Sequence, residues 1–174
     1  MRIRLFFMAV LTAIGLGAGS PALAFDKAGY QSLIEAVTRE IIVGKFENID
    51  ATLKRLDDAT ALAKVAAKER AVAVPADAKL MEFSIAAPDA IKKTAVDKLD
   101  EEWGEGAKAF ERAGIVKGAG ADHFKAAGNY ADLLVHPATA WVYLTAWKSA
   151  PSAGLLELAK NELVEVLEHL KHAK

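Results

Sequence analysis

The chain repeats apolar residues at spacings of three and four along most of its length. This spacing places one apolar stripe on each amphipathic α-helix, whereas side chains of a β-strand alternate with a period of two. The stripes cover residues 30–41, 49–67, 91–113, 124–145 and 155–170. Because every stripe has to be buried against another element, the sequence predicts an all-α fold in which helices pack on helices.

Helix-start and helix-stop residues separate these stripes. Gly44 predicts a left-handed cap after the first helix, and Asn48 or Asp50 predicts an N-cap for the second. The Pro-Asp and Pro-Ser pairs at residues 88–89 and 151–152 predict the starts of the third and fifth helices. Short connections favour antiparallel neighbours. We therefore predict an up-and-down bundle of four to five antiparallel helices.

Residues 71–87 do not follow the helical pattern. Met81, Phe83 and Ile85 alternate with a period of two, and Pro75 interrupts the segment. The segment is predicted to form either a short β-hairpin or an irregular connector that covers the bundle. We favour the connector, because an isolated two-stranded hairpin is only marginally stable.

Residues 1–24 have the composition of a secretory signal peptide. Arg2 and Arg4 precede an apolar stretch over residues 5–18, and Ala-Leu-Ala ends at Ala24 as a cleavage site. Cleavage would leave residues 25–174 as a single helical-bundle domain, with no membrane span, in a bacterial periplasm. A retained membrane anchor is the alternative, but the apolar stretch is short for a span.

Charge and cysteine content exclude several function classes. Removing the leader takes two of the 22 basic residues and none of the 23 acidic ones, so the mature chain is slightly acidic. A near-balanced surface of this kind argues against nucleic acid or anionic lipid as a partner. The absence of cysteine excludes disulfides, thiolate metal sites, a cysteine nucleophile and covalent c-type haem.

The most unusual stretch, residues 128–148, is apolar or aromatic nearly all round the predicted helix. One arc is the expected core face, and the opposite face carries two titratable and two aromatic residues. These are Asp132, His136, Tyr143 and Trp147. A carboxylate four residues before an imidazole can accept its N–H, which leaves the second ring nitrogen free for a ligand, a metal or a proton. We predict a ligand site here, with Trp103 as a neighbour.

Pro137 leaves two interpretations of this stretch. If the helix continues through it, the carbonyl of Leu133 loses its N–H donor and becomes an open acceptor beside His136. Alternatively, His136 ends one helix and Pro137 begins the next, because the residue before a proline avoids the helical region. We favour the turn, in which case the aromatic residues are ordinary core.

A metal site is an alternative prediction. Glu165, His169 and His172 share one face of the last predicted helix at spacings of four and three, which suits Zn²⁺, Cu²⁺ or Ni²⁺. That face is opposite the apolar stripe, so we expect it to be solvated. His136 is the one inward histidine that could also hold a non-covalent haem.

These features predict an exported, non-enzymatic helical-bundle protein that binds a small molecule or an envelope protein without a cofactor. The motifs of hydrolases, metalloproteases and nucleotide-binding proteins do not occur in the chain. The alternative is a periplasmic protein that binds a divalent metal or haem through His136 or the pair His169 and His172. A second copy of the chain is a further expected partner, since an all-round apolar helix needs cover.

Overall fold

The computed structural model describes residues 24–104, 109, 112–115 and 121–173, with side chains in the last range from residue 126 onward. These residues form an all-helical fold, as predicted, and none of them lies in a β-strand. Their six α-helices are α1 (Lys27–Val43), α2 (Ile49–Ala73), α3 (Ala78–Ile91), α4 (Leu99–Trp103), α5 (Ala121–Ser149) and α6 (Ala153–His172).

Polar caps and a glycine set the helix ends at the predicted places. The side chain of Asn48 accepts the backbone N–H of Asp50 at 2.9 Å, and Ser152 accepts that of Leu155 at 3.2 Å. Both bonds satisfy N–H groups that have no partner within the helix. Gly44 adopts φ 66°, the left-handed conformation that closes α1.

The long helix α5 lies at the centre of the fold, where it contacts α2, α3 and α6. Its adjacent residues Leu133 and Leu134 are both fully buried, although neighbours on a helix point about 100° apart. The helix is therefore covered on more than one side. Buried alanines such as Ala63 of α2 and Ala138 of α5 let the backbones approach closely.

The prediction of an irregular or β connector at residues 71–87 is wrong. Helix α2 continues to Ala73, a 3-10 turn covers Pro75–Asp77, and α3 follows directly. The buried residues of α3 recur at helical spacing: Leu80, Met81, Ser84, Ala87, Pro88 and Ile91. The hydroxyl of Ser84 donates to the carbonyl of Leu80 at 2.8 Å, so a polar side chain is buried within the apolar stripe.

The third predicted helix also differs from the structure. Pro88, which was expected to begin it, lies in the last turn of α3. The chain then turns over residues 92–98, with extended backbone at Ala95, before α4 begins. Most of the predicted stripe beyond residue 104 lies outside the described residues.

Among the residues that the structure describes, no helix is long and apolar enough to cross a membrane. The predicted leader, residues 1–24, lies almost entirely outside that part of the chain. Its cleavage and the export of the protein therefore stay predictions.

Candidate functional site

Helix α5 runs without a break through Pro137, so the predicted turn at His136 is wrong. The Leu133 carbonyl, which Pro137 deprives of its helical donor, accepts a hydrogen bond of 2.8 Å from the hydroxyl of Tyr30. Tyr30 comes from α1 and is fully buried, and burial raises the pKa of its hydroxyl well above the usual value. The acceptor is thus satisfied within the core and is not a ligand subsite.

Two histidines from neighbouring helices, α5 and α6, lie against each other. The rings of His136 on α5 and His169 on α6 stack with their centroids 5.3 Å apart and their planes 10° from parallel. One possible metal-ligand atom from each histidine and one from Asp132 all lie within 4.8 Å of one another. We call these three residues the two-histidine cluster.

Each histidine has a hydrogen-bond partner at Nδ1. His136 Nδ1 is 2.7 Å from a carboxylate oxygen of Glu162, and His169 Nδ1 is 2.9 Å from the amide oxygen of Asn129. Since both partners are acceptors, each Nδ1 carries the proton and donates it. In the neutral rings Nε2 is then the nitrogen with a free lone pair.

Asp132 does not orient His136 as predicted. A carboxylate oxygen of Asp132 is instead 3.4 Å from His169 Nδ1, and Glu162 of α6 orients His136. A carboxylate oxygen of Glu165 lies 3.6 Å from His136 Nε2, too far for a hydrogen bond but close enough to share a metal ion. Three carboxylates therefore surround the two imidazoles.

The pKa values of the two histidines are shifted in opposite directions from the usual value. Burial acts to lower the pKa of His136, but the hydrogen bond and charge of Glu162, with the charges of Asp132 and Glu165, outweigh it and raise the pKa. Burial lowers the pKa of His169, and His136 adds to the effect against the charge of Asp132. A proton that enters the cluster is therefore held by His136, while His169 stays neutral.

A cavity of about 270 Å³ opens beside His136, between α4, α5 and α6. We call it the acidic cavity. The described residues that line it are Leu99, Asp100, Trp103, Gly104, His136, Thr139, Tyr143, Glu162 and Glu165. It contains three members of the predicted ligand site, namely His136, Tyr143 and Trp103.

The other predicted residues lie elsewhere. Trp147 packs against Phe46, with ring centroids 4.8 Å apart, and takes no part in the cavity. His172 is exposed at the end of α6 and is not part of the two-histidine cluster. His169, expected on a solvated face, instead lies against α5 beside Asn129. Glu165 is exposed, as expected, although its carboxylate lies 3.6 Å from His136 Nε2.

Sequence reasoning missed Glu162 and Asn129. Glu162 comes three residues before Glu165 and seven before His169, so one polar stripe of α6 carries all three. That stripe was the available signal. It indicates a site only once α6 is known to pack along the polar face of α5.

Comparison of the chain with protein-family models, with curated proteins and with solved structures found no match. Arguments about function therefore rest on the geometry described above.

Proposed function

We propose that the protein binds a divalent transition-metal ion between α5 and α6, with His136, His169 and Asp132 as its ligands. The observation that carries the proposal is the convergence of three ligand atoms of suitable type within 4.8 Å of one another. Two imidazoles and a carboxylate are a ligand set used for Zn²⁺, and they also suit Cu²⁺ and Ni²⁺.

Binding requires the three ligand atoms to move closer together and the two stacked rings to tilt, because the lone pair of an imidazole nitrogen lies in the plane of its ring. With bonds of 2.0–2.1 Å to a tetrahedral ion, ligand atoms lie about 3.3 Å apart. Side-chain rotations that shorten the 4.8 Å spread and tilt the rings toward each other would bring the ligand atoms to that spacing. Glu165 is placed to supply a fourth ligand atom, a carboxylate oxygen, because it lies 3.6 Å from His136 Nε2.

Glu162 and Asn129 support the proposal from outside the ligand set. A metal-binding histidine commonly donates its other N–H to a carboxylate or carbonyl, which fixes the tautomer and the ring orientation. His136 has such a bond to Glu162, and His169 has one to Asn129. Both bonds leave Nε2 free for the ion.

The arrangement favours a single ion over haem. The two rings are stacked face to face, so their nitrogens lie side by side. Axial ligation of haem needs a nitrogen that points at the iron along the normal of the macrocycle, with space for the macrocycle itself. A cavity of about 270 Å³ next to His136 suits a smaller group.

Metal titration of the purified, tag-free protein tests this function. We expect one Zn²⁺ or Cu²⁺ per chain by calorimetry, and His136→Ala or His169→Ala should weaken binding at least tenfold. His172→Ala is the matched control, since it removes an exposed histidine from the same helix. Equal binding by all three variants, or no binding by the wild type, would overturn the proposal.

The pH dependence of binding gives a second readout. The ligand form of histidine is neutral, so protons compete with the ion. Because the pKa of His136 is raised, metal affinity should increase as the pH rises through and above about 6.5. An affinity independent of pH between about 6 and 8 would show that His136 is not a ligand.

We further propose that the protein acts in the periplasm. The support is the basic, apolar and Ala-Leu-Ala pattern of residues 1–24. Mass spectrometry of the protein from a cell-envelope fraction should find a mature chain that begins at Phe25. An intact chain in the cytoplasm that begins at Met1 would refute export without affecting the metal site.

A further inference from the structure

We infer that the acidic cavity binds a small organic cation, a molecule with an ammonium group on a compact apolar body. Its features are a set of carboxylates, a phenol whose hydroxyl has no hydrogen-bond partner among the described residues, and a fixed indole wall, and each contributes differently to recognition. The inference does not depend on the proposed metal site, although the two share His136 and Glu165.

The charge of the cavity selects a cation. Asp100, Glu162 and Glu165 line it, and no lysine or arginine is among its described residues. His136 carries at most one positive charge against these three carboxylates. An anion would meet net repulsion here, and a neutral molecule would gain nothing from the field.

Tyr143 contributes a phenol to the lining of the cavity. Its side chain lines the cavity although the residue is only 5% exposed. No other described residue forms a hydrogen bond with its hydroxyl. Burial, with the charges of Glu162 and Asp100, raises the pKa of this hydroxyl, so it stays protonated. Its oxygen can accept an N–H from a bound ammonium group.

Trp103 forms an aromatic wall that is held in place before any ligand arrives. Its indole N–H donates to the hydroxyl of Thr94 at 3.2 Å, and its ring stacks on Phe83 with centroids 6.1 Å apart. An indole face attracts cations more strongly than the other aromatic rings do. Because the ring is already fixed, binding does not have to order it.

Binding of the metal and of the organic cation should oppose each other. An ion at the two-histidine cluster adds two positive charges next to His136 and Glu165, which also line the acidic cavity. Each ligand then lowers the affinity for the other by the same factor. A bound metal ion should therefore weaken the binding of the organic cation, and the organic cation should weaken the binding of the metal ion.

Three probes of nearly equal shape test the inference on metal-free protein in the presence of EDTA. These are tert-butylammonium, neutral tert-butanol and anionic pivalate, each titrated by calorimetry at pH 7. We expect affinity in about the millimolar range for the ammonium probe, at least tenfold weaker binding of the alcohol, and none of pivalate. Equal affinity for the three probes, or no binding of the ammonium, would overturn the inference.

Two variants locate the binding. Tyr143→Phe and Asp100→Asn should each weaken tert-butylammonium binding at least threefold, whereas the matched control Asp97→Asn, an exposed aspartate near the same helix, should not. Circular dichroism checks that each variant is folded. Unchanged affinity in both folded cavity variants would refute the assignment to this cavity.

A titration with Zn²⁺ separates the two proposals. If zinc binds, it should weaken the ammonium affinity several-fold, and an unchanged affinity would contradict the shared site. If zinc does not bind, the metal proposal fails while ammonium binding to the apo protein still supports the acidic cavity.

Discussion

Replacing Tyr30 by Phe should destabilise the protein because the buried backbone carbonyl of Leu133 loses its hydrogen-bond donor. The Tyr30 hydroxyl donates to the Leu133 oxygen at 2.8 Å, and Pro137 supplies no N–H to that oxygen. Tyr30 and Leu133 are both fully buried, so water cannot replace the lost donor. Leaving a buried acceptor unsatisfied costs about 1–3 kcal/mol. The phenyl ring keeps its packing, and we therefore expect a loss of about 2 kcal/mol.

The variant Pro137→Ala should rescue most of this loss. An alanine at that position restores the N–H that bonds the carbonyl four residues earlier, which is Leu133. In the Pro137→Ala background, Tyr30→Phe removes a second and less important donor. Its cost should fall to about 0.5–1 kcal/mol, so the coupling energy between the two substitutions should be about 1 kcal/mol or more.

Urea unfolding of the four proteins measures this coupling, with far-UV circular dichroism and tryptophan fluorescence as probes. Tyr143→Phe is the matched control, because that hydroxyl has no hydrogen-bond partner among the described residues and its loss should cost less than about 0.5 kcal/mol. Costs of Tyr30→Phe that agree within about 0.5 kcal/mol in both backgrounds would refute the reasoning, since independent sites add to that precision.

Three further substitutions test other parts of the fold and the site. Asp77→Asn breaks an ion pair of 2.6 Å with Arg70 at a 3% exposed carboxylate, and chemical denaturation should show a loss of about 3 kcal/mol. Glu162→Gln should lower stability most at acidic pH. The raised pKa of His136 contributes stability fully below about pH 6.5, and this stability is lost as the pH rises through the folded pKa, so a pH-independent difference would contradict the assignment. Gly44→Ala should cost about 1 kcal/mol in thermal unfolding from left-handed strain alone, because nothing lies within 4 Å of the added methyl group.

The helices with clear caps and unbroken stripes could be predicted from the sequence, and those without could not. Gly44, Asn48 and Ser152 sit at helix ends where local chemistry alone determines the boundary. In α3, Ser84 occupies a buried position because its hydroxyl bonds back to the helix, which hides the apolar stripe from a periodicity argument. The helix start predicted at Pro88 was wrong because this proline lies in the last turn of a helix rather than in the first.

The positions of the candidate residues along α5 could be predicted from the sequence, but their partners on α6 could not. Helical spacing correctly places Asp132 and His136 on one face of α5, but it says nothing about the facing helix. The carboxylate that bonds His136 comes from Glu162, 26 residues later, and Asp132 lies against His169 instead. Such partners depend on how α6 packs on α5, which intra-helix spacing does not contain.

The continuity of α5 depends on a contact that is equally non-local. Pro137 alone favours a break in the helix, and the sequence prediction followed that local preference. A tyrosine 103 residues away supplies the missing donor to Leu133 and removes one cost of continuing the helix. Because α5 continues past Pro137, His136 and Tyr143 lie on one helix and line the same cavity.

The charges around His136 favour a cation over an anion. Asp132, Glu162 and Glu165 surround His136, and together they raise the pKa of its ring despite burial, which favours a bound proton. That proton occupies the place a metal ion would take, while His169 stays neutral and ready to coordinate. Exchange of the proton for a divalent ion would neutralise more of the same three carboxylates. A proton and a metal ion would therefore each offset the negative charge of the same three carboxylates. Asp100 adds a further negative charge to the acidic cavity, and this charge would attract an organic cation.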